Sequence, residues 1–133
     1  MNTIALSANT SWYLFNFRKS TITALVEQGF RVIVIAPKDE YSIKFEALGA
    51  RFIHVNIDQG GTNPFNDIRT TFEFYRIYSS NDINVVLNFT PKNNIYSTLA
   101  ASIFGIRVIN NIAGLGSLFI SESITSKIAR SLY

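Results

Sequence analysis

Cysteine is absent from this sequence, and histidine occurs only once, at position 54. A chain without thiols forms no disulfide and no thiolate zinc site, which fits a cytoplasmic protein. One imidazole excludes a multi-histidine metal centre, and the few carboxylates are dispersed along the chain. We therefore predict no metal site.

Long apolar runs and a strong charge are also missing. No run reaches the roughly 18 residues that span a bilayer, and the first residues lack the basic segment of a signal peptide. The 12 lysines and arginines against 9 acidic residues give a net charge of +3. These basic residues are scattered, so no nucleic-acid partner is expected. With 47% hydrophobic residues among 133, the chain suits one compact domain in the cytoplasm.

Short β-branched runs alternate with longer segments of helical period. The predicted strands cover residues 4–8, 31–36, 52–57, 83–89 and 107–112. The predicted helices cover 12–28, 39–48, a segment beginning at Asn63-Pro64, about 93–104, and a last segment beginning near residue 121 or 123. This alternation predicts an α/β fold, a Rossmann-like three-layer sandwich with a parallel sheet. Strand 31–36 is expected to be buried on both faces.

Apolar stripes on two helices predict which side faces the core. In the first helix, Trp12 and Phe15 fall on the stripe, whereas Tyr13 and Phe17 point elsewhere. That second pair is suited to stacking on a sugar, to lipid headgroups, or to packing against further structure. In the helix after Asn63, a stripe lies opposite three water-facing charged residues. The stripe is Phe65, Ile68, Phe72 and Tyr75, and the charged residues are Arg69, Glu73 and Arg76.

Polar loops follow three of the predicted strands. Open parallel sheets bind ligands beyond the carboxyl ends of the strands, where the strand order reverses. This rule points to loops 8–13, 90–94 and 113–117, two of which lead directly into helices. Helix N-termini suit phosphate or sugar oxygens. Each polar residue taken alone is better explained as a helix cap, but three such loops at one edge favour a ligand site.

Nucleotide-binding motifs are weak or missing. The first loop contains no G-x-G-x-x-G, and the chain has no Walker A loop. Gly114-Leu115-Gly116-Ser117 begins like the dinucleotide fingerprint but follows the fifth strand and lacks the third glycine. His54 lies within a strand, and we predict a hydrogen-bonded structural role for it rather than that of a catalytic base.

Two cations are candidates for binding an anion. Arg18 lies about two turns into the first helix, and its spacing leaves open whether it is solvated or reaches the ligand edge. Lys92 follows the fourth strand, where an ammonium can meet phosphate, and a solvated lysine is an equally good alternative. The sequence identifies no catalytic residue.

The ordered series of segments resembles a known family. The aromatic-rich entry with Phe17-Arg18 is followed by GFRVIVIAPKDEYSIKFEALGARFIHV, TNPFNDI, NFTPKNNIYSTLAA and GIRVINNIAGLGSLFI. Together they resemble the N-terminal, acceptor-side domain of family 4 retaining glycosyltransferases. The branch is the bacterial one that builds capsular polysaccharide, O-antigen and lipid-linked oligosaccharides.

The resemblance implies one half of a GT-B fold, with residues 1–133 as the acceptor-side domain and the C-terminal donor-binding domain absent. It implies a nucleotide sugar and a polyprenyl-linked or saccharide acceptor as partners, peripheral contact with the inner face of the cytoplasmic membrane, and no metal or cofactor. On its own, this domain is expected to transfer no sugar. The acceptor- and phosphate-binding residues implied are Asn9, Thr10, Ser11, Tyr13, Arg18, Thr90, Lys92, Asn93, Gly114, Gly116 and Ser117.

The chain also departs from the family, and alternatives remain open. Many relatives have glycines where this chain has Asn9-Thr10-Ser11, and some have a histidine near Thr90-Pro91. The alternatives are half of a sugar-nucleotide epimerase, a split enzyme with its donor domain on another polypeptide, and a non-catalytic nucleotide- or partner-binding α/β module. A receiver-like module is disfavoured, since Ser7-Ala8 and Ala36-Pro37 supply no acidic cluster at the strand ends.

Overall fold

Five parallel strands form the centre of the computed structural model, which describes residues 2–58 and 63–111. Between β2 and β3 the chain makes two short 3₁₀ turns, Ser42–Lys44 and Glu46–Leu48. The other elements, in chain order, are β1 (Thr3–Ser7), α1 (Ser11–Glu27), β2 (Arg31–Ala36), β3 (Arg51–His54), α2 (Pro64–Ser80), β4 (Val85–Asn88), α3 (Pro91–Ile103) and β5 (Arg107–Asn110).

The strand order in the sheet is β3-β2-β1-β4-β5, and all neighbours are parallel. Thr3 of β1 lies opposite Arg31 of β2, and Ile4 lies opposite Val85 of β4. The direction in which strands are added therefore reverses between β1 and β4. The carboxyl ends of these two strands meet at this switch point, which is where the sequence predicts a ligand site.

Each face of the sheet carries its own hydrophobic cluster. On one face α2 and α3 pack Phe74 and Ala101 against β-strand side chains, and on the other α1 packs Leu14 and Ile22. β2 contributes to both clusters, because alternate side chains of a strand point to opposite faces. Its residues Ile33 and Ile35 belong to the first cluster, and Val32 and Val34 to the second. The predicted three-layer architecture, with β2 buried on both faces, is confirmed.

The N-termini of α1 and α2 follow from local sequence. The Thr10 hydroxyl accepts a hydrogen bond from the Tyr13 amide at 2.9 Å, and the Asn63 side chain accepts one from the Phe65 amide at 3.0 Å. Each bond satisfies a donor that the helix leaves without an intrahelical partner. Pro64 follows Asn63 at the first helical position, where its missing N–H costs nothing. The sequence predicted this helix start.

A glycine is required where the second 3₁₀ turn leads into β3. Gly49 has φ of +90°, a left-handed conformation that side chains with a Cβ rarely adopt. A Cβ at this position would lie 2.9 Å from Cγ1 of Val26 on α1. The close approach packs this segment against α1, so Gly49 is constrained both by its backbone and by its neighbour.

The helix predicted over residues 39–48 is wrong, since the chain forms two 3₁₀ turns there. The Asp39 carboxylate accepts a hydrogen bond from the Tyr41 amide at 2.8 Å, and the Ser42 hydroxyl accepts one from the Asp39 amide at 2.9 Å. Such side-chain bonds compete with the i→i−4 pattern of an α-helix. In a different part of the chain, helix α3 begins at Pro91, two residues before its predicted start.

The apolar stripe predicted for α2 also lies on the wrong side. Phe65, Ile68, Phe72 and Tyr75 are all exposed, whereas Phe74 is fully buried. α2 has two apolar stripes, and the inward one, which also includes Thr70, Ile77 and Tyr78, carries the polar groups that anchor it. The Thr70 hydroxyl donates to the Asn56 carbonyl at 2.7 Å, for example. Periodicity alone cannot tell which of two apolar stripes on one helix faces the core.

Trp12 is likewise no core residue, since its side chain is 47% exposed. The α1 core positions are Leu14 and Ile22, with Phe15 packed partly buried against the same cluster. The helix predicted to begin near residue 121 or 123 falls outside the described residues. None of the described helices has the length and apolarity needed to cross a bilayer.

Candidate functional site

The loop after β1 uses two of its predicted site residues within the protein. Thr10 caps α1, as described above. Ser11 is fully buried; its hydroxyl donates to the Pro37 carbonyl at 2.7 Å and bonds the Ser42 hydroxyl at 2.9 Å. These bonds tie the start of α1 to the segment after β2. Asn9 is half-buried at the switch point.

The Arg18 side chain lies at the carboxyl edge of the sheet, beside the residue that follows β4. Its guanidinium carbon lies 4.6 Å from the centroid of the Phe89 ring, and Phe89 directly follows β4. Its Nη2 donates to the Tyr13 hydroxyl at 3.3 Å. Its Nε is buried without an acceptor, and Arg18 forms no ion pair with any described residue. A cation is therefore held between α1 and the end of β4 with its charge uncompensated.

Tyr13 and Phe17 lie beside this arginine. Their ring centroids are 5.3 Å apart, and Tyr13 lies 6.4 Å from the Phe89 centroid. Phe17 is 58% exposed and makes an edge contact with Trp12 at 5.4 Å. The guanidinium thus lies against two rings, those of Tyr13 and Phe89. The prediction that Tyr13 and Phe17 lie off the core stripe is confirmed for Phe17 alone, since Tyr13 packs partly buried against the core cluster on the α1 side.

Lys92 lies in the first turn of α3, where it is ion-paired. Its Nζ lies 2.9 Å from the Asp67 carboxylate on α2, and both side chains are about one-fifth exposed. Hydrogen bonds from Lys92 and Tyr96 hold the pKa of Asp67 below its usual range. Burial, together with the neighbouring carboxylate, raises the pKa of the Tyr96 hydroxyl. The Lys92 charge is therefore matched by a carboxylate, unlike that of Arg18.

Thr90 and Asn93 close the first turn of α3. The Thr90 hydroxyl donates to Asn93 Oδ1 at 2.8 Å, and the Thr90 carbonyl accepts from the Asn94 amide at 2.8 Å. Asn93 is fully buried, and its Nδ2 has no acceptor among the described residues. The structure thus brings Thr90 and Asn93 together, as it does Tyr13 and Arg18. Gly114, Gly116 and Ser117 lie outside the described residues.

A buried polar ladder links the carboxyl ends of β1, β4 and β5, and sequence reasoning missed it. Ser7, Asn88 and Asn110 lie side by side in register, all at most 2% exposed. The Ser7 hydroxyl donates to Asn88 Oδ1, Asn88 Nδ2 donates to Asn110 Oδ1 at 3.0 Å, and Asn110 Nδ2 donates to the Thr98 hydroxyl at 3.1 Å. Each of the three residues ends its strand. A polar residue at the end of each of these three strands was the sequence signal from which the ladder could have been predicted.

His54 ends β3, away from the switch point, and has the predicted structural role. Its Nδ1 accepts a hydrogen bond from the Lys38 amide at 2.9 Å, and its Nε2 lies 3.1 Å from Asn56 Oδ1. Because Nδ1 accepts, Nε2 carries the hydrogen and donates to the Asn56 oxygen. Among the described residues, no group of three or more histidine, aspartate or glutamate side chains is arranged to hold a metal ion.

Comparisons with known proteins identify a family that this chain resembles. A family model described as glycosyl transferase 4-like matches residues 3–132. The chain is 27% identical over 118 residues to the N,N'-diacetylbacillosaminyl-diphospho-undecaprenol alpha-1,3-N-acetylgalactosaminyltransferase of Campylobacter jejuni, covering 88% of this chain and 31% of the relative.

Solved structures show the same fold at low sequence identity. MurG of Acinetobacter baumannii matches with a TM-score of 0.64 and 20% identity, covering 84% of this chain and 34% of that one. A glycosyltransferase of Rickettsia africae matches with a TM-score of 0.64 and 14% identity, covering 82% and 29%. This chain spans about a third of the length of each of these relatives. The likeness confirms the Rossmann-like α/β fold class with a parallel sheet, and these two neighbours are GT-B glycosyltransferases.

The family model covers nearly every residue, and the matching structures share the fold. The resemblance read from the ordered sequence segments is thereby confirmed. This chain belongs to the glycosyl transferase 4-like family.

Proposed function

We propose that this chain forms the acceptor-side domain of a retaining hexosyltransferase. The enzyme would move a sugar from a nucleotide sugar to a lipid-linked or saccharide acceptor during the synthesis of a bacterial surface polysaccharide, at the inner face of the cytoplasmic membrane. Family membership supports the reaction class. The Campylobacter jejuni relative is named as a transferase acting on a diphospho-undecaprenol-linked sugar, which supports a lipid-linked acceptor.

The observation that carries the proposal is the uncompensated Arg18 at the switch-point edge. Its guanidinium is packed on Phe89 and bonded to Tyr13, so its position is fixed before a ligand arrives. A guanidinium pairs well with phosphate oxygens, and a charge-assisted hydrogen bond of this kind is stronger than a neutral one. An acceptor diphosphate supplies the matching negative charge.

The N-termini of α1 and α3 at this edge add to the positive electrostatic potential around Arg18. α1 begins at Ser11 and α3 at Pro91, so the positive ends of both helix dipoles lie at the carboxyl ends of β1 and β4. Lys92 contributes less to this potential, because Asp67 neutralises it at 2.9 Å. We therefore assign the main anion contact to Arg18. Asn9, Thr90 and Asn93 would line the loops around this contact.

In the complete enzyme this domain would position the acceptor. Catalysis by positioning and by electrostatic stabilisation of a leaving diphosphate requires both substrates to be held across one cleft. The donor would be bound by the remaining two-thirds of the relatives' length, which this chain does not span. We expect no metal or cofactor to be needed, and residues 1–133 alone to transfer no sugar. Detectable transfer by this chain alone would contradict the assignment.

A binding titration tests the proposal. The ¹⁵N-labelled chain is titrated with a farnesyl-diphosphate-linked N-acetylhexosamine, a short soluble analogue of a polyprenyl-linked acceptor, and amide shifts are recorded. We expect the shifts to be concentrated in residues 8–13 and 88–94. Arg18→Gln should weaken binding by roughly tenfold or more, because hydrogen bonds to charged groups contribute about 1.5–3 kcal/mol.

Lys19→Gln is the matched control, since it removes the same charge from the neighbouring residue. The Lys19 ammonium lies 5.0 Å from the centroid of Phe15, which packs against the α1 side of the core. Arg18→Lys keeps the charge and loses the planar stacking on Phe89, so it should bind with intermediate strength. Equal weakening by Arg18→Gln and Lys19→Gln, or no shifts at the two loops, would refute the assignment.

A further inference from the structure

β3 forms one edge of the sheet, and its outer side has no partner strand within the described residues. The Val55 amide donates to the Ala36 carbonyl of β2 at 3.2 Å, so the backbone groups of Val55 face β2, as do those of Ile53 two residues earlier. The N–H and C=O groups of Phe52 and His54 therefore point away from the sheet, since successive residues of a strand direct these groups to opposite sides. Unpaired backbone groups in a row are a template for another strand.

A groove of about 350 Å³ runs along this free edge, between β3 and α2. Ile53 and Ile77 supply apolar lining, and Arg51, Arg76 and Ser80 supply polar lining. Proteins accept an extended peptide as an added strand at such an edge, where backbone hydrogen bonds give affinity and flanking side chains give specificity. The groove thus lies where the side chains of an added strand would contact this protein.

The groove carries positive charge that no described residue neutralises. Arg51 and Arg76 are exposed, and neither forms an ion pair with a described residue. Arg51 Nη1 donates to the neutral Asn81 Oδ1 at 3.2 Å. Glu73, which also lines the groove, is already ion-paired with Arg69 at 3.2 Å. Charge complementarity therefore favours an acidic partner.

Glu73 also determines where strand pairing at this edge would end. Its Oε1 accepts a hydrogen bond from the Asn56 amide at 3.0 Å. Asn56 is two residues beyond His54, so its N–H points to the same outer side of the chain. A carboxylate of the protein itself thus occupies the position that the next group of a partner strand would take. The edge left open is Phe52 and His54.

A second copy of the chain does not match this edge. The sequence of β3 contains Arg51 and His54 but no acidic residue, so pairing two β3 edges would supply no carboxylate to the arginines of either copy. Charged side chains protect an edge against strands of like charge, whereas opposite charges across a strand pair are favourable. The arginines that discourage self-pairing are therefore suited to select an acidic strand.

We propose that the β3 edge binds an extended acidic segment of a partner protein as an additional strand. Backbone groups of the segment bond Phe52 and His54, and carboxylates at alternate positions lie against Arg51 and Arg76. The remaining positions face the Phe52 side of the sheet, where apolar side chains fit. β2 lies between this edge and the switch point, so the surface is separate from the candidate site and its role goes beyond the proposed function.

An NMR titration with a designed peptide tests this surface. The ¹⁵N-labelled chain is titrated with a short peptide of alternating glutamate and valine, and amide shifts and hydrogen exchange are recorded. We expect shifts centred on residues 51–54, slower exchange of the Phe52 and His54 amides in the complex, and binding that weakens with salt. A peptide of the same length with lysine in place of glutamate should not bind.

The double variant Arg51→Gln/Arg76→Gln should weaken binding of the glutamate–valine peptide by about fivefold, the effect of losing two exposed ion pairs. Arg31→Gln/Arg107→Gln is the matched control. It removes the same charge from exposed arginines that begin β2 and β5, as Arg51 begins β3. The control should bind like the unmodified chain. Circular dichroism should show both variants folded, because all four side chains are exposed.

N-methylated peptides separate strand pairing from charge attraction. One carries N-methyl groups on its glutamates and the other on its valines, so each loses the N–H donors along one side and keeps its charge. In an added strand only one of these sides faces β3. One of the two peptides should therefore bind about tenfold more weakly, through loss of backbone hydrogen bonds. Which peptide loses affinity shows the direction of the added strand.

Four results would overturn the inference: no binding of the glutamate–valine peptide, equal weakening in the two double variants, unchanged binding of both N-methylated peptides, or a dimer in solution that the peptide dissociates. The third would show attraction of an anion alone, and the fourth would place a second copy of the chain on the edge. The peptides contain no sugar or phosphate, so the outcome is independent of the acceptor titration.

Discussion

Replacing Asn88 with alanine should destabilise this domain more than its small volume suggests. Asn88 is fully buried in the centre of the polar ladder, between Ser7 and Asn110. Its carbonyl oxygen accepts from one neighbour and its amide nitrogen donates to the other. Alanine removes both hydrogen bonds at once and supplies no polar group in their place.

The expected cost follows from the two groups left behind. The Ser7 hydroxyl loses its acceptor, and Asn110 Oδ1 loses the Asn88 donor while keeping a longer hydrogen bond from the Thr98 hydroxyl at 3.4 Å. Both residues are at most 2% exposed. An unsatisfied buried polar group costs about 1–3 kcal/mol, so the full cost for Ser7 and a smaller cost for Asn110 together predict a loss of roughly 2–4 kcal/mol. Domains of this size have about 5–15 kcal/mol of unfolding free energy in total. The variant should therefore lose a large share of its stability.

Urea unfolding followed by circular dichroism measures this loss. Asn84→Ala is the matched control, since Asn84 lies just before the same strand at its other end. Its Oδ1 accepts from the Thr3 amide at 2.8 Å, but the residue is exposed, so water can replace the bond. The control should lose about 1 kcal/mol or less. If Asn88→Ala loses no more than Asn84→Ala, the ladder does not stabilise the strand ends as argued.

Three further predictions concern packing, backbone and charge. Phe74→Ala should lower the unfolding free energy by about 3–5 kcal/mol, whereas Phe65→Ala on the same helix should change it by less than about 0.5 kcal/mol; similar values would contradict the orientation of α2. Gly49→Ala should cost about 1–3 kcal/mol in the same assay, from a left-handed φ and a 2.9 Å contact; a neutral effect would show that the turn relaxes. Because the pKa of Asp67 is lower folded than unfolded, its pairing with Lys92 stabilises the fold above pH 3.8 and is lost as pH falls through the folded value. Asp67→Asn should lack this acid-dependent part of the stability in urea titrations at several pH values, and an unchanged pH profile would refute the pairing.

The order of elements was predictable because its signals are local. β-branched runs such as residues 31–36 and the Asn63-Pro64 helix start act within a few residues, and the structure has them as predicted. The switch point between β1 and β4 followed from the general rule for parallel sheets. The strand ends shifted by up to three residues, as with predicted strand 52–57, observed as Arg51–His54.

The site was less predictable because its contacts join distant parts of the sequence. Arg18 meets Phe89 from another element, and Lys92 meets Asp67 across two helices. Neither contact produces a periodic pattern of residues in the sequence, so neither could be predicted from it. The inward face of α2 was hidden for a related reason: the helix has two apolar stripes, and the one that packs is chosen by the sheet it meets.

The central position of β1 determines when the sheet can be completed during synthesis. β1 is made first, and β2 can cover one of its edges early, but its other partner, Val85–Asn88, is separated from it by 81 residues. At about 5–20 residues per second, several seconds pass between the emergence of β2 and that of β4. Throughout that interval one edge of an apolar strand is open, and open edges pair readily with other chains. The growing chain is therefore most prone to aggregation before β4 appears, and its yield depends on the translation rate between β2 and β4.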